Sequence, residues 1–184
     1  MLGSTGQCWS AFYDGLALYS ALETRVREAA FSGDALAWPA GTSTATKGLA
    51  YATQSEIADY FRERRNYLES VATLDLAICI ETVIREDRAL RLAGAKSQVS
   101  AVGAQLVACP PAPGQAEPAA RRLLKYWLAA GKGVGREYGL LDDALVYRNW
   151  LAHGSVGLPP ASVVTPFLLD PLAADFENFV VAEP

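Results

Sequence analysis

From the Thr53 capping box to Leu92 the chain reads as one long helix, and a helix of that length dictates what the rest of the chain must do. Thr53-Gln54-Ser55-Glu56 sets the start, because a threonine and a glutamate three residues apart satisfy each other's orphan backbone N–H groups. Ala93-Gly94 is the stop. The character changes along the way. Arg62-Glu63-Arg64-Arg65-Asn66 is charged and solvated. Val71 to Ile84 is apolar on several faces, through Leu74, Leu76, Ile78, Ile80 and Val83. Arg85-Glu86-Asp87-Arg88-Ala89-Leu90-Arg91 returns to charge. A segment that is apolar nearly all round must be covered on every side, which puts it in the middle of a helical bundle.

The remaining segments supply the covering helices. Phe12, Leu16, Tyr19, Leu22 and Val26 recur at three- and four-residue steps and predict a first helix over Gln7 to Ala30. Ser32-Gly33-Asp34 ends it, and Trp38 to Thr44 reads as a loop. A third helix is expected over Ser97 to Ala108, stopped by Cys109-Pro110-Pro111. A fourth covers Ala119 to Ala130, with Pro118 in its first turn. Gly131 to Gly135 is a joint, and lacks the pattern of a phosphate loop. A fifth helix covers Tyr138 to His153, with Gly154 as its left-handed cap. Asp170-Pro171 opens a short closing helix through Phe179. Val163-Val164-Thr165 is the only strand-like run. The expectation is one all-α domain over residues 1–184, an up-down bundle of five to six helices.

Charge and cysteine content narrow the function classes. With a net charge of −4 the chain has no global positive field, so a nucleic acid would have to be held by a local cluster. Cys8, Cys79 and Cys109 are scattered, form no CxxC pair and lie far in sequence from the one histidine. They read as reduced thiols, with no metal site, no cofactor and no disulfide framework. No apolar run approaches the ~20 residues of a membrane span, and no signal peptide is evident, so a cytoplasmic location and no membrane partner are expected.

The chemistry concentrates in Tyr147-Arg148-Asn149-Trp150-Leu151-Ala152-His153-Gly154. An arginine and a histidine with four residues between them is a common spacing in a chain with twelve arginines. The octet is narrower: Asn149 follows the arginine, Leu151-Ala152 are apolar, and the whole ends a helix late in an all-α chain. Here the sequence resembles the HEPN superfamily, many of whose members read close to R-N-x-x-A-H-G. The resemblance implies a helical bundle, a homodimer in which two such motifs meet, and metal-independent RNA cleavage in active members. It implies too a setting among toxins with an antitoxin partner, antiviral defence effectors, or proteins paired with a nucleotidyltransferase. Glu81 and Arg85 on the long helix match the family's acidic residue and basic partner loosely.

The residues account for such chemistry by themselves. RNA carries its own nucleophile, the 2′-hydroxyl. Its cleavage requires that proton to be removed, the charge of the pentacoordinate phosphorus to be stabilised and the departing 5′-oxygen to be protonated. A histidine side chain can act as base or acid near neutral pH. Arginine offers planar paired donors to phosphate oxygens. Asn149 can hold the histidine or a phosphate oxygen. The products would be a 2′,3′-cyclic phosphate and a 5′-hydroxyl. Five helical residues rotate about 140° and rise about 7.5 Å, so Arg148 and His153 do not share a face of a regular helix. Either the last turn loosens before Gly154, or each site is assembled from two chains; the resemblance favours the second.

Plainer roles compete for each residue. His153 can be a helix-terminal residue favoured by the helix dipole, and Arg148 can pair with Asp142 or Asp143. Tyr147 and Trp150 can be packing residues instead of base-stacking platforms. Tyr147 is also the residue a nucleotidyltransferase partner would be checked against. Glu81 can point inward toward the site or make an ordinary four-residue pair with Arg85. The arginines at 62, 64, 65, 85, 88 and 91, with Arg121, Arg122 and Lys125, can guide RNA or simply solvate helix surfaces. Two functions follow from these alternatives: an endoribonuclease, or a non-catalytic HEPN-like module that binds a protein or RNA.

Overall fold

The computed structural model describes residues 5–32, 47–130, 139–153 and 165–182. Among these, all regular structure is helical: α1 (Thr5–Ser32), a 3₁₀ turn η1 (Leu49–Tyr51), α2 (Gln54–Leu92), α3 (Ala101–Ala108), α4 (Ala120–Ala130), α5 (Gly139–Ala152) and α6 (Pro166–Ala182). The chain is all-α. The loop expected at 38–44, the glycine joint at 131–135, Gly154 and Val163-Val164 lie outside the described residues; Thr165 precedes α6 and is not in a strand.

α2 forms where the capping box and the glycine stop place it. The Thr53 N–H donates to Glu56 Oε2 at 2.8 Å and the Glu56 N–H to Thr53 Oγ1 at 3.3 Å. The bond from the Thr53 backbone holds the Glu56 carboxyl below its usual range. At the other end Gly94 adopts φ 75°, where a side chain would be strained. There Ala95 N–H reaches Leu90 O at 2.8 Å and Gly94 N–H reaches Arg91 O at 3.0 Å, the paired bonds of a Schellman ending.

The chain divides into two compact units, Trp9–Val71 and Met1–Cys8 with Ala72–Pro184. In the first, Val26, Leu49, Ile57 and Phe61 form the core, with Tyr19, Leu22, Ala30, Ala52 and Tyr60 against it. Here α1 and the start of α2 are tied by Glu23, which accepts from both Arg27 and Arg65. Partial burial works against the Glu23 charge, yet those two guanidinium bonds hold its carboxyl below the ordinary value.

In the second unit α3 packs on α4, α4 on α5 and α5 on α6. Leu76, Ile80 and Ile84 of α2, Leu106 of α3, Leu123, Leu124 and Trp127 of α4, Leu141 of α5 and Phe176 of α6 are all buried. Each side chain of that size contributes roughly 1.5–3 kcal/mol over remaining exposed. Trp127 meets the rings of Phe176 and Phe179 edge-on at 4.8 and 5.2 Å.

Two helix starts differ from the sequence reading by more than two residues. α3 begins at Ala101, not Ser97. The Ser97 carbonyl accepts from Arg91 Nη1 at 2.6 Å, and Ser100 caps the helix by accepting the Gly103 N–H at 3.0 Å. α6 begins at Pro166, so Asp170-Pro171 is not its start. Pro166 takes the first-turn role, with Thr165 O accepting from Leu168 and Leu169. Burial pushes the Asp170 carboxyl up, the opposite of what capping bonds would do.

The α2–α3 junction is ordered by a buried ion network. Asp87, 1% exposed at its side chain, accepts from Arg91 Nε at 2.9 Å and Lys96 Nζ at 2.8 Å. Lys96 also donates to the Val180 carbonyl near the end of α6, at 2.6 Å. Gly103 sits against this network. A Cβ there would lie 2.2 Å from the Ser97 carbonyl oxygen and 2.8 Å from Arg91 Nη1. Neither neighbour can withdraw without breaking the other's bond. Gly103→Ala is expected to destabilise the protein by about 1–3 kcal/mol, the usual range for overpacking, read as a shift of the urea unfolding midpoint at constant slope.

Candidate functional site

Tyr147 to His153 of the octet lie at the end of α5, and the position of α5 is set by its first turn. Asp142 accepts from Arg121 Nε at 2.6 Å and from Nη2 at 2.8 Å, with Lys125 at 3.7 Å. This fork joins α4 to α5. The Arg121 bonds hold the Asp142 carboxyl below its ordinary value, against the effect of its partial burial. Because the folded-state pKa is depressed, the stabilisation is present above the unfolded-state value and is lost as pH falls through the folded-state value. Asp142→Asn is expected to flatten that acid-side loss, measured as melting temperature against pH from neutrality downward.

Arg148 pairs with neither Asp142 nor Asp143. Its Nη2 meets Glu81 Oε2 at 3.1 Å, and its Nη1 donates to Asn149 Oδ1 at 2.8 Å. The other Glu81 oxygen accepts from Arg85 Nε at 2.9 Å. Glu81 therefore makes the ordinary four-residue pair and also points inward to the motif, so two alternatives of the sequence reading occur together. One carboxylate holds two guanidiniums, and the trio keeps one net positive charge. Of the five N–H donors of Arg148, two are spent in these bonds, which leaves the planar edge able to take phosphate oxygens. Asn149 is exposed, and with its carbonyl turned to Arg148 its amide N–H groups are left to donate.

His153 is exposed, and its side chain has no hydrogen-bond partner among the described residues. Its backbone N–H reaches Asn149 O at 3.1 Å, so the four-residue bonding of α5 extends to the N–H of the histidine, just past the helix end at Ala152. Arg148 and His153 of one chain consequently diverge by the rotation of a regular helix. Asn149 holds His153 through its backbone carbonyl alone.

Tyr147 is buried and stacks on Trp150, with centroids 5.6 Å apart and planes 28° from parallel. The two rings pack on each other along the motif helix, and Tyr147 is largely shielded from solvent.

The other arginines fall into distinct classes. Arg91 is completely buried in the Asp87 network and is unavailable to RNA, so this member of the expected guiding set is structural. Arg62 pairs with Asp59 at 2.8 Å, Arg64 lies 5.2 Å over the Tyr60 ring and Arg65 bonds Glu23. Arg85 and Arg88 line a cleft with Ala89, Leu92, Glu117 and Leu123. Glu117, in the proline-rich segment before α4, has no periodicity to mark it. Its place beside Arg85 appears only in three dimensions.

Cys79 and Cys109 are free and buried. Among the described residues no group of three His, Cys, Asp or Glu side chains is placed to hold a metal ion, and no helix is long and apolar enough to cross a membrane. No family model, no curated protein and no solved structure matches this chain.

Proposed function

We propose that this chain is a HEPN-like, metal-independent endoribonuclease that works as a homodimer, each site combining Arg148 and Asn149 of one subunit with His153 of the other. The observation that carries the reading is the reach of Glu81, on the long central helix, to Arg148 in the motif. A guanidinium held by a carboxylate on one side and an amide on the other is oriented before substrate arrives, and orientation in advance is what makes such a group effective at a developing phosphorane charge. The regular last turn of α5 supports the two-chain arrangement, since it keeps Arg148 and His153 of a single chain apart.

In this site the 2′-oxygen attacks phosphorus as its proton leaves, and the bond to the 5′-oxygen breaks. The guanidinium edge of Arg148 and the Asn149 amide take the non-bridging oxygens. His153 of the partner moves the proton at one of the two reacting oxygens, and water serves the other. The test is incubation of the purified protein with RNA in EDTA. Cleavage to 2′,3′-cyclic phosphate and 5′-hydroxyl ends, absent on an all-2′-deoxy strand, is the expected result. Expression that arrests growth, with relief by His153→Ala, would extend the reading to a toxin or antiviral effector.

A second reading is a non-catalytic module that binds RNA or a partner protein such as an antitoxin. The net charge of −4 favours it, since the summed field opposes the approach of an RNA substrate at long range. RNA or partner binding that survives Arg148→Ala and His153→Ala, with no cleavage in EDTA or in magnesium, selects it over the enzyme.

A further inference from the structure

The geometry points to a second phosphate-binding subsite, at the cleft where Arg85 and Arg88 of α2 face the segment leading into α4, which takes the RNA backbone a few nucleotides from the scissile phosphate. This rests on the ribonuclease reading and extends it from one phosphate to a strand with a defined track. Glu81, Arg85, Arg88 and Leu92 are spaced by four, three and four residues and so share one face of α2. That face begins at the carboxylate that holds Arg148 and ends in a partly open cleft of about 80 Å³.

The donors in the cleft are oriented but unspent. Arg88 gives its Nε–H to the Leu106 carbonyl at 3.2 Å, which fixes the plane of its guanidinium. Its two terminal nitrogens have no hydrogen-bond partner among the described residues. Arg85 gives Nε to Glu81, and its Nη1 makes only long contacts of 3.4 Å to Glu117 and the Pro118 carbonyl. Arg122 adds positive charge nearby. Burial raises the Cys109 thiol, and both Arg122 and Arg88 oppose that rise by favouring the thiolate.

The lining also fits a strand in preference to a free ion. Ala89, Leu92 and Leu123 give an apolar floor on which a ribose or base edge can rest. From Glu81 to Arg88 the helix rises about 10 Å, which is about three nucleotides at the spacing of a stacked strand. Glu117 is the one carboxylate in the lining. At 69% exposure and 3.4 Å from Arg85, its ion pair is heavily screened, so a phosphate displaces it readily.

The test uses the whole protein and a labelled 2′-O-methyl RNA strand of about ten nucleotides, which lacks the nucleophile, with binding followed against salt. Arg88→Gln removes the charge and keeps a donor for Leu106. It is expected to weaken binding several-fold near physiological salt and to reduce the slope of log K against log salt by about 0.7, one phosphate contact on a single strand. Glu117→Gln is expected to tighten binding. The effects of both variants are expected to shrink as the strand is shortened to a dinucleotide, which is too short to reach the cleft. An Arg88→Gln slope equal to the wild type's, at an equal melting temperature, overturns the subsite. So does a wild type that does not bind the strand. Strand binding with the Arg88-dependent slope, and no cleavage of ordinary RNA, keeps the subsite and overturns the ribonuclease reading.

Discussion

Replacing His153 by alanine is expected to slow RNA cleavage by about 10²–10⁴-fold, the usual contribution of a positioned general acid or base. The melting temperature should not move, because the imidazole is exposed and makes no side-chain hydrogen bond among the described residues. Arg148→Ala is expected to cost about 10²–10³-fold through loss of donors to the phosphorane oxygens. It leaves Glu81 paired with Arg85, so the fold should tolerate it. Arg148→Lys should recover little, because a lysine ammonium cannot bridge Glu81 and Asn149 while presenting a planar edge to phosphate. Single-turnover rates in EDTA beside thermal melts separate these effects.

The largest loss of stability is expected from Asp87→Ala. Its carboxylate is the common acceptor for fully buried Arg91 and for Lys96, whose ammonium also holds the end of α6 through Val180. Removing it leaves a guanidinium in the interior without its counter-charge, an effect of about 3–5 kcal/mol. Against a typical total stability of about 5–15 kcal/mol, that is enough to unfold a marginal domain. The same physics gives a compensating prediction. Asp87→Leu combined with Arg91→Met removes both charges together and should be more stable than Asp87→Ala, as read from urea unfolding midpoints.

Much of the helical layout is legible in the sequence because local chemistry determines it. The capping box at Thr53 and the glycine at 94 bound α2 without help from the rest of the chain. The two misplaced starts come from tertiary demands. The Ser97 carbonyl is taken by Arg91, a contact no helical period encodes, and α3 waits for Ser100 to cap it. For α6 the sequence offers two prolines, and local rules do not say that Pro166 is the first-turn residue while Pro171 is carried inside the helix.

The site divides in the same way. Arg148, Asn149 and His153 stand out as a compact motif, and Glu81 with Arg85 as a four-residue pair. The ion pair between Glu81 and Arg148 joins residues far apart in sequence, and only the folded chain brings the two within reach. Arg91 shows the opposite case. It looks like one more surface arginine in a charged run, but its burial depends on Asp87, Ser97 and Ser100 converging on it.

In the proposed dimer each cleft takes Arg148 from one subunit and His153 from the other, and mixing two inactive variants tests that sharing. Arg148→Ala and His153→Ala chains are denatured together, refolded and assayed on RNA in EDTA. In a mixed dimer one cleft loses both groups and the other keeps both. Random pairing should therefore return activity to about a quarter of wild type, since half the dimers are mixed and each carries one intact cleft. Activity that stays at the level of the separate variants, while wild type refolded alongside cleaves normally, would contradict the shared cleft.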